Sequence, residues 1–175
     1  MATDESVIVY LGLGSNVGDR LAHLDAGAGA LTQSGLRVRR ASSIYAGPYV
    51  GPGAPQPAYL NAVLEVETRL APIAILHACQ TVEHQRGRTA MSHMQPRPLD
   101  VDVLLYGHVR VRHPQLIVPH PRLDERRFVL EPLAELGVVT VSSALGRALQ
   151  RLRQTQPLRR VARFDFGGSR ERVVA

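Results

Sequence analysis

Apolar and polar positions change period along this chain, and the changes predict alternating strands and helices. Val7 to Leu13 is a β-branched and aliphatic run that ends in Gly12-Leu13-Gly14-Ser15-Asn16, the pattern of a strand feeding a loop. Val17, Leu21, Leu24, Ala28 and Leu31 then recur at helical spacing, and Ser34-Gly35 closes the helix. Gly27 and Gly29 each weaken that helix by roughly 1 kcal/mol, so its packing must compensate. Leu36 to Tyr45 alternates as a single strand, and the Pro/Gly-rich stretch Gly47 to Pro57 reads as a loop. Leu60, Ala62, Leu64 and Val66 share one face of the next strand, opposite Asn61, Val63, Glu65 and Glu67. Pro72 opens a helix that Gly87 ends. Asp100 to Tyr106 is a further strand, and Val109 to Val118 suits a short hairpin arm. Leu123 to Leu136 is helical in pattern with an interruption at Pro132, and Ser142 to Leu152 supplies a last amphipathic helix. The order strand–helix–strand, twice over, predicts an α+β fold: a ferredoxin-like split βαβ sandwich (βαββαβ core) with extra C-terminal helices.

Length and composition narrow this picture. A chain of 175 residues with 45% hydrophobic and 21% charged residues fits a single domain, 1–175. No apolar run approaches the ~20 residues of a membrane span, and the acidic N-terminus lacks a secretory layout, so a cytoplasmic protein is expected. The single cysteine, Cys79, lies on an apolar helix face and excludes both an internal disulfide and a cysteine-built zinc site. Lysine is absent, which removes Walker-type phosphate lysines and Schiff-base chemistry. The net charge of +6 belongs to the end of the chain: from Gly146 onward eight arginines face only Asp165 and Glu171. A basic tail from about residue 155, without regular structure in part, is therefore expected beside a neutral body.

The chemistry concentrates around Arg97-Pro98-Leu99-Asp100-Val101-Asp102-Val103. On a strand, Asp100 and Asp102 stand on the same side, where two like charges repel. A divalent cation relieves that repulsion, and Mg²⁺ commonly takes one or two carboxylates and completes its shell with water and phosphate. The bland alternative is a frayed strand start with both acids solvated. Arg86, Arg88, Arg97, Arg122, Arg126 and Arg127 frame the pair, with His120 nearby. Guanidinium forks suit phosphate oxygens, so carboxylates, Mg²⁺ and arginines together point to phosphoryl transfer. Gly12-x-Gly14 departs from the dinucleotide spacing and reads as a tight strand-to-helix turn. Tyr59, Asn61 and Phe128 would suit a flat heterocycle, rings for its faces and an amide for its edge, although both rings could equally be core. Nothing in the pattern of the remaining histidines suggests metal ligation.

Six ordered motifs resemble the 6-hydroxymethyl-7,8-dihydropterin pyrophosphokinases of folate biosynthesis. They are Leu11-Gly-Leu-Gly-Ser-Asn16, Ser42-Ser-Ile-Tyr45, Tyr59-Leu-Asn61, Glu83-x-x-x-Gly-Arg88, Pro96-Arg-Pro-Leu-Asp-Val-Asp-Val103 and Pro119-His-Pro-Arg-Leu-Asp-Glu-Arg-Arg-Phe128. The resemblance implies a ferredoxin-like fold and transfer of pyrophosphate from ATP, as co-substrate, to the pterin hydroxymethyl group, with release of AMP. It further implies that Asp100 and Asp102 hold two Mg²⁺ ions. Gly47, Pro48, Val50, Tyr59, Asn61 and Phe128 would then bind pterin. Gln80, Glu83, Arg88, Arg97, Val103, His120 and Arg126 would surround ATP, with Arg88, Arg97, Asp100 and Asp102 as the catalytic set. The chain departs from the family pattern between Arg88 and Arg97, where Ala90 replaces an arginine and Met94 a tryptophan. The implied partners are the two small substrates, with no membrane or nucleic acid, and a monomer is expected. Two rival functions are an RNA-binding module of the same fold, which the basic tail would suit, and an inactive homologue serving as an assembly partner.

Overall fold

The fold is given by a computed structural model, which describes residues 2–88 and 95–165. β1 (Ala2–Ser15) runs through the sheet interior, and its alternation sets the rest: Val9, Leu11 and Leu13 are buried on one face, Gly12 and Gly14 lie on the other. β4 (Tyr59–Leu70) and β5 (Asp100–Tyr106) pair antiparallel with β1 on either side. β2 (Arg37–Ala41) and β3 (Ile44–Gly47) both pair with β4, so the core strands follow the split βαβ order expected from the sequence.

Helices cover both faces. α1 (Arg20–Gln33) and α2 (Pro72–Gln85) bury Leu24, Ala28, Leu31, Ile75, Cys79 and Val82 against the Leu11 side. α3 (Arg127–Glu135) and α4 (Ala144–Thr155) press Leu130, Leu133 and Leu149 onto Val63 and Leu104 on the opposite side. β6 (Val111–His113) and β7 (Leu116–Val118) form the anticipated hairpin arm. Of the apolar stripe expected over 17–31, Val17 precedes α1 and, like Leu21, is exposed; only its last three members reach the core. Gly27 has a packing role, because a Cβ there would stand 2.8 Å from Leu99 Cδ2. The helix thus gives up propensity and seats the residue preceding Asp100.

Four expectations need correction. The strand foreseen over 36–45 is two strands, broken at Ser42, whose hydroxyl accepts from the Val63 N–H at 2.9 Å. Gly12 and Gly14 are not in the turn after β1 but within the strand itself; the turn falls at Gly18, with φ of 67°. Pro132 does not interrupt its helix, which runs on to Glu135: a proline here removes one N–H, and the burial of Leu130 and Leu133 on either side holds the short helix together. Finally, part of the expected basic tail is structured. β8 (Arg159–Ala162) pairs with β3 and Phe164 is buried, so the basic segment completes one sheet edge. Among the described residues, no helix is long and apolar enough to cross a membrane.

Candidate active site

Strand register builds the site. Gly14 pairs with Asn61 of β4 on one side and with Asp100 of β5 on the other, which sets Asn61, Gly14 and Asp100 in one row. Gly12 likewise sits between Val63 and Asp102 in the next row. Because the middle strand contributes glycines, the row opens as a trough between an amide and a carboxylate. A Cβ on Gly14 would approach both Asn61 Oδ1 and Tyr59 Cδ1 to 3.2 Å.

Loops and helix ends turn this trough into a cavity of about 390 Å³. Pro48, Tyr49 and Val50 wall one end, with Tyr49 stacked on Tyr59 at 6.3 Å between ring centroids. Arg126 and Phe128, from the entry to α3, wall the other side, and the Arg126 guanidinium lies 5.6 Å from the Phe128 ring centre. One end is therefore aromatic and amide-bearing, and the other is charged.

At the charged end, Arg97 donates to Asp100 Oδ1 at 2.8 Å and Arg88 reaches the same oxygen at 3.3 Å. Arg126 donates to Asp102 Oδ2 at 3.2 Å. Burial pushes Asp102 up to about 6, with the neighbouring Asp100 charge adding to it and the arginines opposing; its side chain still keeps about 35% of its surface open. Glu83 on α2 is buried and raised to about 7 for the same leading reason; it pairs with Arg88 and accepts from the Val101 N–H at 2.8 Å, bracing the start of β5. His120 is pushed down to about 4 by burial and the adjacent Arg126 and Arg122, so it is neutral; its Nδ1 accepts from the Arg122 N–H, leaving the proton on Nε2, 3.9 Å from Asp102. The buried Arg126 Nε has no hydrogen-bond partner, an orphaned donor beside the cavity.

Ten of the residues assigned by the family resemblance meet at this cavity: Pro48, Val50, Tyr59, Asn61, Arg88, Arg97, Asp100, Asp102, Arg126 and Phe128. Five others stand off its lining. Gly47 is buried on β3 beneath Leu158, Gln80 is exposed on α2, and the Val103 side chain faces the α1/α2 core. Glu83 and His120 stand one contact behind, through Arg88 and Asp102. Ala90 and Met94, where the chain departs from the family pattern, lie outside the described residues. Arg122, among the arginines expected to frame the aspartates, also lines the cavity, whereas the sequence reading missed Gly12, Gly14 and Tyr49 as lining residues. It also missed Asn16, buried, which accepts from the Arg97 N–H at 2.8 Å and donates to Gln56 at 3.1 Å, tying the arginine segment to the Pro/Gly loop. Period-two spacing does place Gly12 and Gly14 on one face; what it cannot supply is which strands flank them.

The family model for 7,8-dihydro-6-hydroxymethylpterin-pyrophosphokinase (HPPK) matches residues 10–138. The chain belongs to this family. It is 42% identical over 130 residues to the 2-amino-4-hydroxy-6-hydroxymethyldihydropteridine pyrophosphokinase of Bacillus subtilis, covering 74% of this chain and 77% of that one. The enzyme of the same name from Methylorubrum extorquens is 39% identical over 145 residues, covering 79% and 91%. A crystal structure of Plasmodium falciparum HPPK-DHPS superimposes with a TM-score of 0.63 at 12% identity over 84% of this chain, a likeness of fold. The chain spans 45% of that structure's chain. All cavity-lining residues fall inside the span matched by the family, whereas α4 and β8 lie beyond it.

Proposed function

We propose that this HPPK chain transfers pyrophosphate from ATP to 6-hydroxymethyl-7,8-dihydropterin, releasing AMP, in folate biosynthesis, and that the cavity over Gly12 and Gly14 is where it does so. The observation that carries the reading is the row Asn61–Gly14–Asp100: an amide suited to a heterocycle edge and a carboxylate suited to a metal-bound phosphate, held on the two strands that flank β1 with only a glycine between them. Asn61 would pair with the pterin edge, and Tyr59 and Phe128 would cover its faces, with Pro48, Val50 and the Gly47 backbone closing the end. Arg88, Arg97 and Arg126 would turn from the aspartates to phosphate oxygens, for which the fork geometry and the orphaned Arg126 Nε are suited.

The donor set fits Mg²⁺. Two carboxylates share one strand face, and among the described residues no cluster of three or more His, Cys, Asp or Glu exists that would favour a fully protein-coordinated ion. Asp100 and Asp102 are the residues to hold it, with two ions expected; bound there, Mg²⁺ would screen the phosphate charge and lower the pKa of the attacking hydroxyl. The protein's own contribution is orientation and electrostatics. The pterin hydroxymethyl group would be aimed along the row toward the β-phosphorus, arginines would hold the charge that develops, and no side-chain nucleophile is required. Gln80, Glu83, Val103 and His120 belong to this reading as flanking groups, Glu83 and His120 fixing Arg88 and Asp102.

An RNA-binding module is disfavoured, since helices cover the sheet on both faces where such a module would expose stacking aromatics. Incubation with ATP, Mg²⁺ and hydroxymethyldihydropterin, with nucleotide products resolved by chromatography, tests the proposal. Pterin-dependent AMP is expected; ADP, or AMP formed regardless of the pterin, would overturn it.

A further inference from the structure

The peptide unit that carries Arg126 is held from both sides by one residue lying 30 positions later, outside the family-matched span. The Gln156 side chain donates from Nε2 to the Glu125 carbonyl at 2.8 Å and accepts at Oε1 from the Arg127 N–H at 2.8 Å. Its backbone carbonyl accepts from the Arg127 guanidinium, also at 2.8 Å. The two neighbours of Arg126 are thus bracketed by a single amide, and Arg126 between them is extended, at φ −122° and ψ 105°. α3 begins there without a side-chain cap of its own, and Gln156 supplies from a distance an acceptor for the first of the N–H groups that the helix leaves unpaired. The support continues outward: Glu131 on α3 accepts from Arg127 at 3.1 Å and pairs with Arg153 on α4.

We infer that Gln156 is a positioning residue for the reaction: its amide fixes the backbone at Arg126 so that this guanidinium meets Asp102 and the phosphates that would lie beside it. Backbone direction matters here because Arg126 has little else to guide it. Its Nε is unpartnered, and it otherwise touches Asp102 at 3.2 Å and the Phe128 ring. A rotation at residues 125–127 would swing the guanidinium off both. The inference rests on the role proposed above for Arg126 at the phosphates. It also gives α4 and the segment after it a part in the site although they contribute no lining residue.

A double-mutant cycle on the full-length protein tests it, with Gln156→Leu, Arg126→Ala and the double variant measured for kcat and KM(ATP) and for melting temperature. Gln156→Leu keeps the volume and removes both side-chain hydrogen bonds; its kcat/KM for ATP should fall about tenfold, the size of one displaced charge-assisted contact. In the Arg126→Ala background the same change should cost less than about twofold, because nothing remains to be positioned. Gln156→Glu keeps the acceptor for the Arg127 N–H and should recover part of the loss. Equal losses in both backgrounds, or a lower melting temperature with unchanged kcat/KM, would show that Gln156 only holds the helix and would overturn the inference while leaving the cavity reading intact. Full activity of Arg126→Ala would instead overturn both.

Discussion

Gly14→Ala offers the most direct test of the trough between Asn61 and Asp100. The added methyl carbon would stand 3.2 Å from Asn61 Oδ1, 3.2 Å from Tyr59 Cδ1 and 3.5 Å from Tyr59 Cε1. Ordinary carbon contacts lie at about 3.5–4.0 Å, so the amide and the ring must each retreat by roughly 0.3–0.6 Å. The backbone itself accepts alanine, because Gly14 is a strand residue paired on both sides and is absent from the positive-φ positions. Replacing glycine at such a position favours the folded state by about 0.4–1 kcal/mol, which offsets the contact strain. Melting temperature should therefore stay within about 4 °C of the wild type. Ligand binding should not be spared. An amide displaced by half an ångström loses one or two hydrogen bonds to a heterocycle edge, each leaving a buried polar group unmatched at about 1–3 kcal/mol, or about 5- to 150-fold in Kd. Calorimetric titration of hydroxymethyldihydropterin into protein saturated with a non-hydrolysable ATP analogue reads this loss, and ATP binding measured separately should change by less than about threefold. A pterin Kd within about twofold of wild type at unchanged melting temperature would show that Asn61 and Tyr59 do not seat the pterin.

Asp100→Ala and Asp102→Ala should each lower kcat by at least about a hundredfold while the fold survives, since the proposed metal ligand is lost and a like-charge repulsion is relieved; circular dichroism and steady-state turnover at saturating Mg²⁺ decide. Asn16→Ala leaves the Arg97 N–H without its 2.8 Å acceptor, and thermal melts should fall by several degrees, about 1–3 kcal/mol, along with turnover. Acid should destabilise the protein through Glu65, Glu131 and Glu135. Arg40 and Arg153 hold the first two below the ordinary value of 4.5, and for Glu135 the Ser43 hydrogen bonds outweigh its burial. Carboxylates lowered on folding stabilise above the unfolded value and lose that contribution as pH falls through the folded one, so melting temperature should drop steeply below about pH 4.5 and the drop should shrink in Glu131→Gln. A flat profile from pH 5 to 3 would contradict the assignment.

The parts of this architecture that were legible in the sequence are those written in local period. Asp100 and Asp102 share a face because strands repeat every two residues, and α2 is bounded by Pro72 and Gly87 as its sequence implies. What escaped depends on partners far along the chain. Ser42 ends β2 because its hydroxyl takes the Val63 N–H, a contact 21 residues away. β8 reads as an arginine-rich tail; it is a strand because β3 offers it an edge and Phe164 a place in the core. Gly12 and Gly14 read as a turn since glycine carries no hydropathy signal, and only the register reveals that their missing side chains shape the cavity. The family resemblance assigned ten cavity residues, but motif spacing does not tell a lining residue from one that braces it, as with Glu83 and His120.

Charge balance explains why such a site is stable before its substrates arrive. Two aspartates on one strand face would repel, and burial has already raised Asp102 to about 6. Arg88 and Arg97 on Asp100, with Arg126 on Asp102, offset that repulsion without filling the trough. The same three guanidiniums are the groups proposed to meet phosphate, so on that proposal substrate binding would exchange partners: carboxylates would pass from arginine to Mg²⁺, and arginines from carboxylate to phosphate oxygen. Each group would then remain paired, which would spare the cost of an unpaired buried charge. Mg²⁺ alone must compete with arginines for the aspartates, and ATP alone must compete with aspartates for the arginines. Together they satisfy both sets at once, so the metal and the nucleotide should bind cooperatively as a consequence of the ion pairs already present.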